Sequence, residues 1–402
     1  PNPSHMAFRH DVKHYRDAGI LGISTESRNA IATVGLNLFF RGQLMWNPEA
    51  DVDALLEEFY PKFFGPTAKP MRAYWTAIYD AWDNTVCTEH EFFIAPAIYT
   101  PELMTHLRQQ MAEAEKLIKP LEAKPQAQRT RHEQQYVERM EYMRLTFGIL
   151  DGYMTMVFKA TTDLEYAEAA RAGAAALALR DKLTDMSGIF TTYRNWNVER
   201  QNYPWFPGEV RLYRELAELT DGTKGKLITK LPLEWSFRRD PRDTGLARGF
   251  GYKEADLTYW NAHKSEYDTP AKRKDYPTTE WEVVRTDLYT QPQGILHPDW
   301  QTFTGFMWYK TQVDLKGGDV DGKPHIRFPG LFSECWLYVN GYLVAHRPQN
   351  HMWWYNDYAF QWDVDLSGKL KPGKNDITLR VHNTHHLGGM FRRPFLYEPT
   401  GE

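Results

Sequence analysis

Residues 334–345, ECWLYVNGYLVA, constrain the fold more than any other stretch of the chain. Cys335, Leu337 and Val339 alternate with Trp336, Tyr338 and Asn340, the period of two of a strand with one face buried. Asn340-Gly341 follows at once, and Tyr342, Leu343 and Val344 resume the apolar run. Asn-Gly between two such runs predicts a type I′ hairpin turn, because that turn needs positive φ at both central residues. Residues 306–313 (FMWYKTQV) and 376–382 (DITLRVH) alternate in the same way and are expected to partner the hairpin on either side. Together these runs predict the core of an antiparallel sandwich.

Six short pieces recur around that core in a fixed order. They are residues 235–245 (WSFRRDPRDTG), Trp281, 305–309 (GFMWY), 339–341 (VNG), 371–375 (KPGKN) and Arg393-Pro394. In this order they resemble the sugar-binding-type jelly roll of family 2 glycoside hydrolases, a galactose-binding-like fold, over about residues 224–402. The resemblance implies a fold and a carbohydrate context. It does not imply that this copy binds sugar, since many such domains brace a neighbouring domain.

The chain has 402 residues, room for two or three domains. Lys and Arg total 48 against 52 Asp and Glu, a net charge of −4, so bulk charge gives no support for binding nucleic acid or an anionic membrane. No apolar run reaches the roughly 20 residues of a membrane helix. Cys87 and Cys335 lie far apart in different predicted domains, which argues against a disulfide framework and against a cysteine zinc site. The chain is rich in rings, with 14 Trp, 23 Tyr and 21 Phe; such rings build cores and also stack on sugars. Phosphate-loop, dinucleotide-glycine, G-x-S-x-G and H-E-x-x-H motifs are absent, and neither a cofactor nor a metal is expected.

Taken in order, residues 6–18 read as a helix closed by Gly19, 20–25 (ILGIST) as a short buried strand, and 30–46 as a helix apolar on most sides. One helix–strand–helix step cannot bury a lone parallel strand on both faces. Residues 1–47 therefore read as the end of a (β/α) barrel, and the chain as the C-terminal part of something longer. Asn47 is then a candidate N-cap with Pro48 at the first helical position. Val52, Leu55, Leu56, Phe59 and Phe63 keep helical spacing up to Gly65-Pro66. Further helices are expected over 70–86, 101–119, 126–161, 164–186 and 208–219, joined mostly by short connections and so antiparallel to their neighbours. The charged stretch 119–144 reads as a solvated helix face, and alanine-rich 172–178 suits close helix packing. The predicted domains are 1–47, an incomplete barrel end; 48–222, an all-α domain; and 223–402, the β-sandwich. The fold class is multidomain α plus β.

A second resemblance falls on residues 46–65 (WNPEADVDALLEEFYPKFFG). They are similar to the linker and first helix after the catalytic barrel in bacterial glycoside-hydrolase-like proteins of unknown function, whose barrels resemble α-glucuronidases. A related Trp-Asn-Pro step follows barrels in some β-N-acetylhexosaminidase relatives. The match spans about residues 10–120 and makes 20–25 one of the last barrel strands. Active-site groups of such barrels sit at the C-terminal strand ends, where Thr25, Glu26, Ser27 and Arg28 lie. A Glu commonly stands there in the resembling proteins, so the resemblance implies Glu26 as a carboxylate for a sugar hydroxyl or for general acid–base work; the alternative is a helix N-cap. Asn37 and Arg41 share a helix face one turn apart, placed either to meet Glu26 or substrate or to form a structural ion pair, and Arg28 is a further candidate for binding substrate.

Glycoside hydrolysis needs two carboxylates, about 5 Å or about 6.5–9.5 Å apart according to mechanism. One candidate is visible, so the second is expected on an upstream barrel segment or another chain that completes the barrel. In the sandwich, His351-Met352-Trp353-Trp354-Tyr355 offers either a stacking platform for sugar rings or core packing. His385-His386 with His351 lack the accompanying ligands of a metal site, and Asp240 and Asp243 suit Asx turns. The leading expectation is the C-terminal part of a bacterial glycoside-hydrolase-like protein acting on poly- or oligosaccharide; a non-catalytic carbohydrate-binding or scaffold module is the competing one. By resemblance the protein is expected to be secreted, periplasmic or on the cell surface. The oligomeric state is left open.

Overall fold

A computed structural model describes residues 5–23, 31–85, 91–188, 198–200, 206–251, 281–296, 303–332, 334–349, 361–384 and 388–400. It is a mixture of helices and antiparallel sheets in two compact units. The first comprises Pro1–Thr85, Ala95–Thr155 and Ala172–Asn197; the second comprises Val86–Ile94, Met156–Arg171 and Val198–Glu402.

The first unit is helical. Helices α1 (His5–Asp17) and α2 (Ile31–Trp46) pack together, with Phe8 and Val12 of one and Leu36, Phe40 and Leu44 of the other buried. The next two are α3 (Val52–Phe64) and α4 (Ala68–Asp83), followed by α5 (Glu91–Ile98), which contributes its last turn here. Then come α6 (Pro101–Glu122), α7 (Arg131–Phe158) and α8 (Tyr166–Met186). α4 contacts both α3 and α6. The alanine-rich part of α8 does pack closely: a Cβ on Gly152 of α7 would stand 2.8 Å from the Ala176 methyl. The charged stretch forms local ion pairs, with Arg144 reaching Glu115, Glu122 and Glu141.

Three sequence expectations change here. Residues 20–23 are not a strand: Ile20 and Leu21 are exposed, and no strand beside them takes up their backbone groups among the described residues. Asn47 is not the cap of α3; its carboxamide bonds Glu49 N, while Asp51 Oδ1 accepts from Asp53 N and Ala54 N and starts the helix. The helix expected from residue 126 begins at Arg131, because Thr130 and Glu133 form a reciprocal capping box, Oγ1 accepting from Glu133 N and the carboxylate from Thr130 N.

The second unit is built on β-strands β1 (Gly225–Lys230), β2 (Glu234–Asp240), β3 (Glu282–Arg285), β4 (Gly305–Leu315), β5 (His325–Phe328) and β6 (Gly330–Phe332). It continues with β7 (Glu334–Val339), β8 (Tyr342–Arg347), β9 (Trp362–Asp365), β10 (Gly373–Asn383), β11 (Gly389–Arg392) and β12 (Phe395–Pro399). One sheet runs β1-β12-β5-β9, a second β3-β2-β4-β10-β7-β8, and β11 pairs with β6. The two larger sheets share one core, in which Trp235, Phe237, Met307, Leu337, Ile377 and Leu379 from the six-stranded sheet join Ile326, Phe328 and Leu396 from the four-stranded one. Helix α9 (Phe206–Glu218) belongs to this unit and is tied to β11 by a buried pair, Arg392 Nη2 to Glu209 Oε1 at 2.8 Å.

The hairpin is as its residues demand: Asn340 and Gly341 have φ of 53° and 82°. Its partners are not on either side, however. β10 lies against β7 and β4 lies beyond β10, while β8 is the outer strand. Asn340 and Asn375 hold the turn to the neighbouring loop. Asn340 Nδ2 donates to Asn375 Oδ1 at 2.9 Å, and Asn375 Nδ2 donates to the carbonyls of Lys371 and Gly373. This network fixes the register of β7 against β10.

Candidate functional site on the outer face of the six-stranded sheet

Strand side chains alternate between faces, so each residue that fills the core is followed by one that faces outward. Across β2, β4, β10, β7 and β8, pairing brings one outward residue per strand into a single row: Arg238, Trp308, Arg380, Trp336 and His346. The adjacent row reads Asp240, Phe306, His382 and Glu334. A sheet with one solvated face would carry small polar residues here. Instead the face alternates rings and charges.

Half of it is roofed by residues 240–251. Asp240 accepts from Thr244 N (2.9 Å) and Oγ1 through Oδ1, and from Gly245 N (2.8 Å) and Trp308 Nε1 (2.9 Å) through Oδ2. Both oxygens are thus spent on pinning the loop to β4. Gly245 is required: a Cβ there would lie 2.3 Å from Trp308 Nε1. The loop ends with Phe250 edge-on to Trp308 at 5.8 Å. Asp243, in the left-handed region at φ 52°, forms an ion pair with Arg380.

In the other half Phe306, Trp336, Glu334 and His382 are half-buried and His346 is exposed. Arg380 is 5% exposed and its guanidinium carbon lies 4.1 Å from the ring centres of both Phe306 and Trp336. His346 stacks on Trp336 at 4.7 Å, and His382 on Phe306 at 4.0 Å. Phe306 and Trp336 are thus each in contact with the Arg380 guanidinium and with an imidazole. Glu334 bridges the two histidines, Oε1 to His346 Nε2 at 2.9 Å and Oε2 to His382 Nδ1 at 3.4 Å. Burial pushes the Asp243 carboxyl above the ordinary value, and the Arg380 ion pair opposes this only in part. The face thus brings rings, two imidazoles and two carboxylates side by side.

Glu26, Arg28, His351, Trp353, Trp354 and Tyr355 fall outside the described residues, as do His385 and His386. Asn37 is buried on α2, and Arg41 one turn on places its guanidinium 5.3 Å from the Phe8 ring of α1. Sequence reasoning missed the outer face, although its signal was present: β4, β7 and β10 carry large or charged residues at both alternating sets of positions. Among the described residues no group of His, Cys, Asp and Glu is arranged to hold a metal. None of their helices is long and apolar enough to cross a membrane.

Residues 1–77 match the model of a domain of unknown function, DUF4838. No curated protein matches the chain. Among solved structures it is similar to a β-glucuronidase of Ruminococcus gnavus, at 14% identity and a TM-score of 0.32, over 44% of this chain and 29% of that one. The same enzyme in complex with D-glucuronic acid aligns at 14% identity and a TM-score of 0.32, over 44% of this chain and 30% of that one. The aligned part is therefore less than a third of the length of those structures.

Proposed function

We propose that the chain is the C-terminal part of a carbohydrate-active, glycoside-hydrolase-like protein, and that its two-sheet unit binds poly- or oligosaccharide. In this reading residues 223–402 are a galactose-binding-like jelly roll, 48–222 an all-α domain, and 1–47 the end of a (β/α) barrel completed by an upstream segment or another chain. The observation that carries it is the cluster on the outer face in which His346 stacks on Trp336, His382 stacks on Phe306, Glu334 bridges both histidines and Asp243 pairs with Arg380. Planar charged groups pair with neighbouring sugar hydroxyls, each of which both donates and accepts. The motif order that resembles the family 2 sugar-binding domain adds support, as does the apolar character of α2 on both sides. There Leu36, Phe40 and Leu44 are buried while Leu38, Met45 and Trp46 are exposed, as on a helix that has lost neighbours.

Hydrolysis, in this reading, is shared with the upstream barrel, and Glu26 supplies one carboxylate. The test is calorimetric titration of the full chain with a panel of soluble polysaccharides. At least one is expected to bind, and His346→Ala or Glu334→Gln to weaken it about tenfold, the equivalent of about 1.4 kcal/mol, without loss of the far-ultraviolet dichroism spectrum. A panel without any binder, or binding untouched by both variants, refutes the assignment. In the intact protein Glu26→Gln is expected to abolish hydrolysis with the melting temperature unchanged.

A further inference from the structure

Asn340-Gly341 is the only Asn-Gly pair in the sequence. Such a pair is prone to deamidation in water, because glycine has no Cβ to hinder its amide nitrogen from attacking the carboxamide before it. The Gly341 nitrogen bonds to Asn340 Cγ, and the carboxamide nitrogen leaves as ammonia with the proton that Gly341 gives up. A cyclic imide then joins the two residues. Water opens it at either carbonyl, leaving aspartate at 340 or isoaspartate, whose main chain is one carbon longer. The folded hairpin opposes the first step. Asn340 is 8% exposed, and its Nδ2 donates to Asn375 Oδ1 at 2.9 Å and to the Lys369 carbonyl at 3.3 Å. Its Oδ1 accepts from Asp376 N at 3.1 Å, and its own N–H donates to the Asp376 carbonyl at 2.8 Å. The carboxamide must leave its three partners before Cγ can turn to the Gly341 nitrogen.

Neither product fits the place that asparagine leaves. The polarity of Asn375 is set by its own bonds: Oδ1 accepts from Lys371 N at 2.9 Å, while Nδ2 donates to the carbonyls of Lys371 at 2.7 Å and Gly373 at 2.9 Å. Asn375 Oδ1 therefore faces residue 340 whatever stands there. An aspartate carboxylate only accepts, so it would meet two acceptors, Asn375 Oδ1 and the Lys369 carbonyl, where Asn340 Nδ2 now donates to both. A buried acceptor set against acceptors is costly. Isoaspartate adds a main-chain carbon to a two-residue turn whose flanking residues, Val339 and Tyr342, are paired across the strands.

We propose that Asn340 is a site of spontaneous deamidation that the native hairpin protects, and that its conversion destabilises the fold, so that chains which open are progressively lost from the native pool. The site does not depend on any ligand. β8 is the last strand of its sheet among the described residues, and Tyr342 and Leu343, next to the turn, are 61% and 53% exposed. Opening of this hairpin is therefore the step that exposes Asn340. The conversion rate of the folded chain is the rate in the unfolded chain multiplied by the fraction of time the hairpin is open. Once converted, the chain returns to a weaker native state, which makes the damage one-way.

The test holds the full chain at pH 8, folded in buffer and unfolded in guanidinium chloride, and follows residue 340 by peptide mass spectrometry with the change localised by fragmentation. Conversion of Asn340 is expected to be at least about tenfold faster in the unfolded chain. Equal rates in the two states overturn the protection, and no conversion in denaturant overturns the site. A second arm needs no refolding. Asn340→Asp carries the carboxylate of the product, and it is expected to unfold at a lower urea concentration than the parent or to yield no folded chain. An Asn340→Asp midpoint equal to or above the parent's overturns the claim that conversion weakens the fold.

Discussion

Asp240→Ala tests whether a single carboxylate holds the roof over the outer face. Asp240 is 4% exposed and accepts from two buried donors, Gly245 N at 2.8 Å and Trp308 Nε1 at 2.9 Å. Removing the acceptor leaves both unpaired, at about 1–3 kcal/mol each, so the loss is about 2–6 kcal/mol in all. The Thr244 donors are half-buried and recover part of their bonding from water. Trp308→Phe removes one donor instead and leaves Asp240 with its other partners, costing about 1.5–3 kcal/mol for a hydrogen bond to a charged group. In the double variant the Trp308 donor is no longer there to be orphaned. Its destabilisation should therefore fall short of the sum of the singles by about 1–3 kcal/mol. Equilibrium urea unfolding of the full chain measures this, as a shift in midpoint at constant slope. An Asp240→Ala midpoint equal to the parent's, or a double variant matching the summed singles, refutes the reasoning.

Two further outcomes follow from burial. Lys310 has a folded pKa below the 10.5 of free lysine, so between those values the unfolded chain holds the extra proton and stability rises with pH. The Lys310→Met chain should lack that rise, and parallel profiles for the two chains between pH 8 and 10.5 would sink the claim. Cys335 is buried and its thiol is pushed up to about 11. In a Cys87→Ser chain at pH 8, an aromatic disulfide reagent should label no thiol until denaturant is added; rapid labelling of the folded chain contradicts the placement.

How much was legible depended on the range of the interaction that decided it. The β7–β8 turn was readable because Asn340-Gly341 meets its requirement within two residues. Which strands flank it was not, since the alternation of residues 376–382 is the same beside β7 as beside β8. Only the long-range pairing Leu379 to Leu337 decides. α5 went unread because Pro96 interrupts its eight residues, and a proline there argues against a helix until packing supplies the missing bond. The outer face was hidden by the period-two rule itself. Trp336 and Tyr338 were assigned as the polar-side alternation of Leu337 and Val339, and nothing local says that Trp336 stacks on His346 or that Tyr338 lies 5.9 Å from Trp308. Asp240 was legible in part: a structural turn was expected there, but its carboxylate bonds Thr244 N and Gly245 N, four and five residues on, beyond the two of an Asx turn.

The pairing of β1 with β12 has a consequence for how the protein is made. β12 sits between β1 and β5, yet it is translated roughly 170 residues after β1. At about 5–20 residues per second, β1 leaves the ribosome on the order of ten seconds before its neighbour exists. During that interval the four-stranded sheet lacks a central member: β1 waits without its partner, and β5 has only β9 beside it. Nascent chains stalled before Phe395 should therefore be the species that chaperones and proteases recognise, and the two-sheet unit should appear in one late, cooperative step.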